Sequence, residues 1–148
     1  MDTADWPDEK IHAIALRYIR KHCMKEAEWR FTVLDSLAQR LERIVQLEAG
    51  ERALVTCFID AQRWYVMTSR RVFGVLQGSR FTCVPLDVTR WQWGDFKHMG
   101  RSGVETATLA LKDGTHIRVP YETGHASMAP IYYERFWVIK YPVFDKLE

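Results

Sequence analysis

The residues that come closest to assembling chemistry lie together in Tyr121-Glu122-Thr123-Gly124-His125-Ala126-Ser127, which puts a carboxylate, an imidazole and a hydroxyl in one short run. Glu122 and His125 are the pair that general acid–base catalysis would use. Closeness in sequence is a poor substitute for triad geometry, however. Ser127 stands just before a helical pattern with Pro130 behind it, a better place for a helix cap than for a nucleophile. The five histidines, His12, His22, His98, His116 and His125, stand at no metal-ligand spacing from one another or from a cysteine. His22 and Cys23 are adjacent, and on a helix their side chains diverge. No Gly-x-Ser-x-Gly elbow, phosphate loop or dinucleotide fingerprint occurs in the 148 residues. The expectation is a chain with no catalytic residue, no metal and no cofactor.

Binding is the remaining chemistry. Trp, Tyr and Arg are the types enriched at protein-binding hot spots, and six tryptophans are spread along this chain. Trp93 opens a glycine-bounded loop, residues 94–103, that carries Lys97, His98 and Arg101, and Tyr121, Glu122 and His125 belong to the next loop. These seven residues are expected to form one polar-rimmed aromatic patch for a protein partner. The run Arg90-Trp91-Gln92-Trp93 also interleaves cations with aromatics, as nucleic-acid binders do. Trp91 and Trp93 share one strand face, though, the usual place for a core, and a formal charge of +2 is too small for a basic footprint. No specific nucleic acid is expected.

The elements that must position these residues can be read from periodicity. Pro7 suits a first helical turn, with Asp5 as a cap and Asp8 and Glu9 complementing the dipole. Ile11, Ile14, Ala15, Tyr18, Ile19 and His22 follow on one face, with Lys10, Arg17, Arg20, Lys21 and Lys25 around the rest. A second helical stripe, Leu34, Leu37, Ala38, Leu41, Ile44, Val45 and Glu48, runs to Gly50. Thereafter the pattern is extended. Strands are expected over residues 53–59, on both sides of the Thr68-Ser69-Arg70-Arg71 turn, over 81–84 and 88–93, and over 104–111 and 115–119. The last two are joined by Lys112-Asp113-Gly114, the clearest hairpin signal in the chain. Pro85-Leu86-Asp87 bends what could be one long strand. Helical spacing returns with Tyr133, Trp137, Tyr141 and Phe144, where Pro142 should kink the helix. The chain therefore reads as a single α+β domain, residues 1–148. A helical extension (1–50) precedes antiparallel barrel strands (51–120) and a C-terminal helix (127–147).

Six or seven antiparallel strands closed by one helix suggest a small, sharply bent barrel or a two-sheet sandwich. Here the chain resembles the bacterial pleckstrin-homology-like and GRAM-like group. The resemblance rests on Trp64-Tyr65-Val66-Met67-Thr68-Ser69-Arg70-Arg71-Val72-Phe73, on Val84-Pro85-Leu86-Asp87-Val88-Thr89, and on Leu109-Ala110-Leu111-Lys112-Asp113-Gly114. It covers about residues 51–147 and implies an antiparallel barrel with a C-terminal capping helix. The scaffold it implies binds proteins, phosphoinositide headgroups or copies of itself, and does not imply catalysis.

Headgroup binding needs several cations converging on the first strand–strand loop, and here that loop, Asp60-Ala61-Gln62-Arg63, holds one base and one acid. Arg70 and Arg71 are expected to be structural, pairing with Asp87 or Glu105. The cationic face of the first helix could touch an anionic membrane, but a solvated face is the better account. The three cysteines, Cys23, Cys57 and Cys83, lack Cys-x-x-Cys spacing and read as small buried hydrophobes. The acidic start is unlike a secretory signal, and no apolar run nears the ~20 residues of a membrane span. A cytoplasmic module binding another protein is expected, in the manner of a small inhibitor or an immunity protein that neutralises a bacterial toxin. An anionic-lipid module is the alternative, and a small enzyme using Glu122 and His125 is less favoured.

Overall fold

A computed structural model describes residues 6–97 and 103–140. The chain begins with helix α1, Asp8–His22, whose stripe of Ile11, Ala15, Leu16 and Ile19 is buried. Pro7, with φ −65°, is its N-cap residue. The expected Asp5 cap lies outside the described residues. Among the described residues eight strands follow: β1, Thr32–Leu34; β2, Ala53–Asp60; β3, Arg63–Thr68; β4, Val72–Leu76; β5, Ser79–Cys83; β6, Val88–Gln92; β7, Val104–Leu111; and β8, His116–Glu122. Helix α2, Met128–Arg135, continues as a π-helical segment, Phe136–Lys140. The remainder of the expected C-terminal helix, with Pro142, lies outside the described residues. Ser127 precedes α2, but its hydroxyl donates to the Gly124 carbonyl at 2.6 Å and does not cap the helix.

All pairing is antiparallel, in a five-stranded sheet of order β1-β2-β3-β4-β5 and a three-stranded sheet of order β6-β7-β8. The expected closed barrel is therefore not formed. At Pro85–Asp87 the chain makes a 3-10 turn and passes from the first sheet to the second, so residues 81–93 are not one bent strand. Pro85 has no N–H to offer a ladder, which favours a break at that point. The two sheets and both helices share one core that includes Leu54, Tyr65, Met67, Leu109, Val119, Tyr133 and Phe136. Cys57 and Cys83 are buried, Cys23 is half-buried, and burial pushes all three thiols up to about 12. Among the described residues no helix is long and apolar enough to cross a membrane.

The expected second helix over residues 34–48 is absent. Asp35 takes a left-handed φ of +67°, and Thr56 Oγ1 accepts from the Ala38 amide while donating to the Ser36 carbonyl. Beyond one 3-10 turn, Leu41–Arg43, the segment is a strap across the outer face of the first sheet. There Leu37, Ala38, Leu41, Val45 and Leu47 pack against Trp64, Val66, Val75, Phe58 and Phe73 in a second core. The apolar spacing was real, but a sheet face needed covering and that packing overrode the helical period.

The Thr68-Ser69-Arg70-Arg71 turn is held by two carboxylates. Arg71 makes a bidentate contact with Glu51, at 2.8 and 3.0 Å, and Thr68 Oγ1 donates to Glu51 at 2.6 Å. Arg70 Nη2 lies 2.7 Å from Asp8, which also accepts from Ser69 Oγ at 2.6 Å. Both arginines are structural as expected, but their partners are Asp8 and Glu51 in place of Asp87 or Glu105. The hydrogen bond from Arg70, against some burial and with help from Ser69, holds Asp8 below its ordinary value of 3.8. Burial opposes ionisation of Glu51, yet the bonds from Arg71, Thr68 and the Glu48 amide outweigh it and hold that carboxyl below 4.5.

Inside the first sheet, Gly74 pairs with Tyr65 on one side and Phe81 on the other. A Cβ there would stand 2.1 Å from the Trp64 carbonyl oxygen and 2.8 Å from Phe81 Cζ.

Two predictions follow from these contacts. Gly74→Ala must push main chain aside and is expected to cost about 3 kcal/mol, read as a lowered urea midpoint. A wild-type midpoint would show that the sheet opens freely there. The depressed carboxyls of Asp8 and Glu51 contribute stability that is present above their unfolded values and lost as pH falls through the folded ones. The melting temperature should thus drop below about pH 4.5, where Glu51 begins to be protonated in the unfolded chain. The double variant Asp8→Asn, Glu51→Gln should flatten this acid limb, and an unchanged limb would assign it to other groups.

Candidate functional site

The two loops singled out in the sequence do meet. The Thr123 amide donates to the Gly103 carbonyl at 3.0 Å, and the Gly124 amide to the Phe96 carbonyl at 2.8 Å. The residues expected to face a partner are divided by this arrangement. Trp93 is buried between the second sheet and α2, near-parallel to Trp91 with centroids 6.1 Å apart and edge-on to Tyr121 at 5.2 Å. Its indole N–H donates to Glu134 Oε1 at 2.7 Å, and its carbonyl accepts from the Tyr121 hydroxyl. Tyr121 is fully buried. These two are core residues, because an aromatic with a polar tip is stable inside once that tip has a partner.

Glu122 is also buried, at 7% exposure. Its Oε2 accepts from the Arg30 amide at 2.8 Å; Oε1 accepts from the Phe31 amide at 2.9 Å and from Thr32 Oγ1 at 2.7 Å. With both oxygens engaged, the carboxylate is tied to the chain entering β1. Ser127, likewise buried, spends its hydroxyl on Gly124. Of the remaining expected residues, Lys97 and His125 are exposed, whereas His98 and Arg101 lie outside the described residues.

His125 stands at the rim of a cleft of about 370 Å³ that Glu122 walls from within. The other side of the cleft is the segment joining α1 to β1, which contributes Lys25, Glu28, Trp29 and Arg30. The helical path ends at Cys23, whose backbone is extended; Lys25 then adopts a left-handed φ of +56°, and Glu26–Glu28 makes one 3-10 turn. The Trp29 indole N–H donates to the Met24 carbonyl at 3.0 Å, which fixes the ring in this short connection. Among the described residues, Lys25, Arg30 and His125 have no ion-pair partner within 4 Å. The arrangement is a half-open cleft with one tryptophan, an imidazole and two cations that have no ion-pair partner among the described residues, Arg30 lying over the Phe31 ring at 4.8 Å, and it is suited to carboxylates presented by another molecule.

Sequence reasoning missed Lys25, Trp29 and Arg30. Nothing local marks them, since their neighbours across the cleft are some 90 residues away, and the bonds that bring the segments together run to main-chain amides. Among the described residues no three His, Cys, Asp or Glu side chains gather in a way that could hold a metal ion. No protein-family model, curated protein or solved structure matches the chain.

Glu134 beneath the site carries a testable consequence. Burial raises its carboxyl above 4.5, with the Trp93 N–H and Arg135 opposing. Because the folded value lies above the unfolded one, its contribution is present in acid and lost as pH rises through the folded value, opposite in sign to Asp8 and Glu51. Glu134→Gln keeps an oxygen for Trp93 and removes the ionisation. It should melt higher than wild type at pH 7 and at the same temperature below about pH 4.5, where the wild-type group is neutral in both states. Equal melting curves at both pH values would assign no cost to this half-buried charge.

Proposed function

We propose that this chain is a non-enzymatic binding module that engages another protein through the cleft between residues 25–30 and 122–126. A small inhibitor, such as an immunity protein that neutralises a bacterial toxin, is the form of this reading. The observation that carries it is the pair of cations, Lys25 and Arg30, that have no carboxylate partner among the described residues and stand beside Trp29 and His125 in one cleft. Unpaired cations beside an aromatic are the hot-spot chemistry of protein interfaces. The commitment of Glu122 to three donors and of Ser127 to Gly124 supports a structural use of the loop's polar groups over a catalytic one. The headgroup alternative lacks support in the β2–β3 loop, where Arg63 is paired with Asp60 at 2.8 Å.

The frame is read as pleckstrin-homology-like, with an N-terminal extension. The support is the order of elements: the aromatic β3 ending in Thr68-Ser69-Arg70-Arg71, the Val84-Pro85-Leu86-Asp87-Val88 corner, and the β7–β8 hairpin before α2. A cytoplasmic setting belongs to the same proposal and is consistent with three free thiols.

Affinity capture with the full chain tests the reading. One stoichiometric protein partner should be retained by wild type and lost, by about tenfold or more in affinity, from the Lys25→Glu, Arg30→Glu double variant. Retention unchanged by that variant would place the interface elsewhere. Binding to anionic vesicles with no protein partner, abolished by reversing Lys10, Arg17 and Lys21, would replace the proposal with the lipid reading. A toxin gene beside this one would single out the immunity form, and an isolated gene would count against it.

A further inference from the structure

Among the described residues the first sheet ends on β5, which has a partner strand on its β4 side and none on the other. The pairing there can be followed bond by bond. At the two ends of the β3–β4 ladder the Thr68 amide donates to the Arg71 carbonyl and the Gln77 amide to the Gln62 carbonyl. Antiparallel pairing alternates, so residues 71, 73, 75 and 77 direct their main-chain groups at β3, and residues 72, 74 and 76 direct theirs at β5. Their opposites are Cys83, Phe81 and Ser79. The N–H and C=O groups of Arg80 and Thr82 therefore point away from the sheet. Among the described residues no hydrogen bond reaches them. Edge strands of this kind are templates for another strand unless charge, proline, a bulge or a covering segment blocks them. β5 holds no proline, its register with β4 is unbroken, and its one charge, Arg80, opposes a cationic strand but favours an acidic one.

The side chains of Arg80 and Thr82 stand on the outer face of the sheet, in line with Val75–Trp64 and Phe73–Val66 respectively. Beside them lies a groove of about 350 Å³ between this face and the end of the strap, lined by Ile44, Trp64, Phe73 and Arg71 among others. Ile44 is 58% exposed there. Arg71 is paired with Glu51, whereas Arg80 has no carboxylate partner among the described residues.

We propose that β5 is a second interaction surface, which accepts an extended segment of a partner protein as a sixth strand of the sheet. The added strand would exchange hydrogen bonds with Arg80 and Thr82. Its side chains at alternate positions would fall on the groove side, an Asp or Glu beside Arg80 and an apolar residue beside Thr82. Charge decides against a second copy of this chain as the occupant. Antiparallel pairing of β5 with itself about Phe81 would set Arg80 diagonally across from its own copy, and like charges so placed repel. The surface is independent of the cleft proposed above, sharing no residue with it.

Selection from a random heptapeptide display library against the full chain tests this inference. Enriched peptides should alternate an acidic and an apolar residue at positions i and i+2. Arg80→Glu should weaken them at least tenfold. Thr82→Pro removes an outward-facing N–H and fixes φ at an edge position where proline is tolerated, so it should leave the fold intact, judged by its circular dichroism and urea midpoint, and abolish binding. In hydrogen exchange, the Arg80 and Thr82 amides should exchange fast in the free chain and become protected by a selected peptide. Four results would overturn the proposal: no enrichment, enrichment without alternation, peptides that bind folded Thr82→Pro as well as wild type, or concentration-dependent protection of both amides in the free chain, which would assign the edge to self-association. A fifth, loss through Lys25→Glu, Arg30→Glu with β5 amides unprotected, would assign the peptides to the cleft instead.

Discussion

The Glu122 carboxylate is the interaction on which the architecture turns. Its residue ends the last strand of the three-stranded sheet, and its three donors belong to the chain entering the first strand of the five-stranded one. Among the described residues no ladder crosses between the sheets, so a side chain joins what main-chain pairing leaves apart. A buried carboxylate costs several kcal/mol to desolvate, and this one is tolerable because two amides and a hydroxyl meet it. The reverse holds as well: without the carboxylate, the Arg30 and Phe31 amides and Thr32 would face a part-buried site unpaired. The same bonds set the position of Trp29 and Arg30, and thereby the far wall of the cleft.

A second polar network does comparable work at the other end of β3. Asp8 at the start of α1 and Glu51 before β2 grip the turn through Ser69, Arg70, Arg71 and Thr68, and Tyr133 of α2 donates to the Thr68 carbonyl at 2.8 Å. One four-residue turn thus gathers both helices and the loop into β2. That explains a turn dense in polar side chains whose Thr68 and Ser69 are buried. The polar groups there are fully used within the fold, which leaves little for a ligand.

What could be read from the sequence was local. The Asp113-Gly114 hairpin, the Thr68–Arg71 turn, the α1 stripe and the sequence of strands depend on neighbours within a few residues, where turn chemistry and periodicity act directly. The strap failed this test for a definite reason. Leu37, Leu41 and Val45 satisfy a helical period equally well as a covering for Trp64 and Val66, and only the exposed sheet face decides between them. The site was half legible: the Gly94–Gly103 and Tyr121–His125 loops meet, but Trp93 and Tyr121 were assigned outward when each had a polar partner available inside. Composition marks an aromatic as capable of binding; only the location of Glu134 and of the Trp93 carbonyl shows that these two are spent on the core.

The open corner between the sheets links these points. Had the strands closed into a barrel, β5 and β6 would have paired and the main-chain groups of Arg80 and Thr82 would have been consumed. The 3-10 turn at Pro85–Asp87 carries the chain into the second sheet before such pairing begins, and the missing side chain of Gly74 leaves room for the Phe81 ring, which packs on the shared core. The fold therefore leaves the β5 edge without a partner strand among the described residues while filling its interior. A binding surface made of main-chain groups is available because the side chains that would otherwise defend it, such as a proline or an inward charge, are absent from Ser79–Cys83.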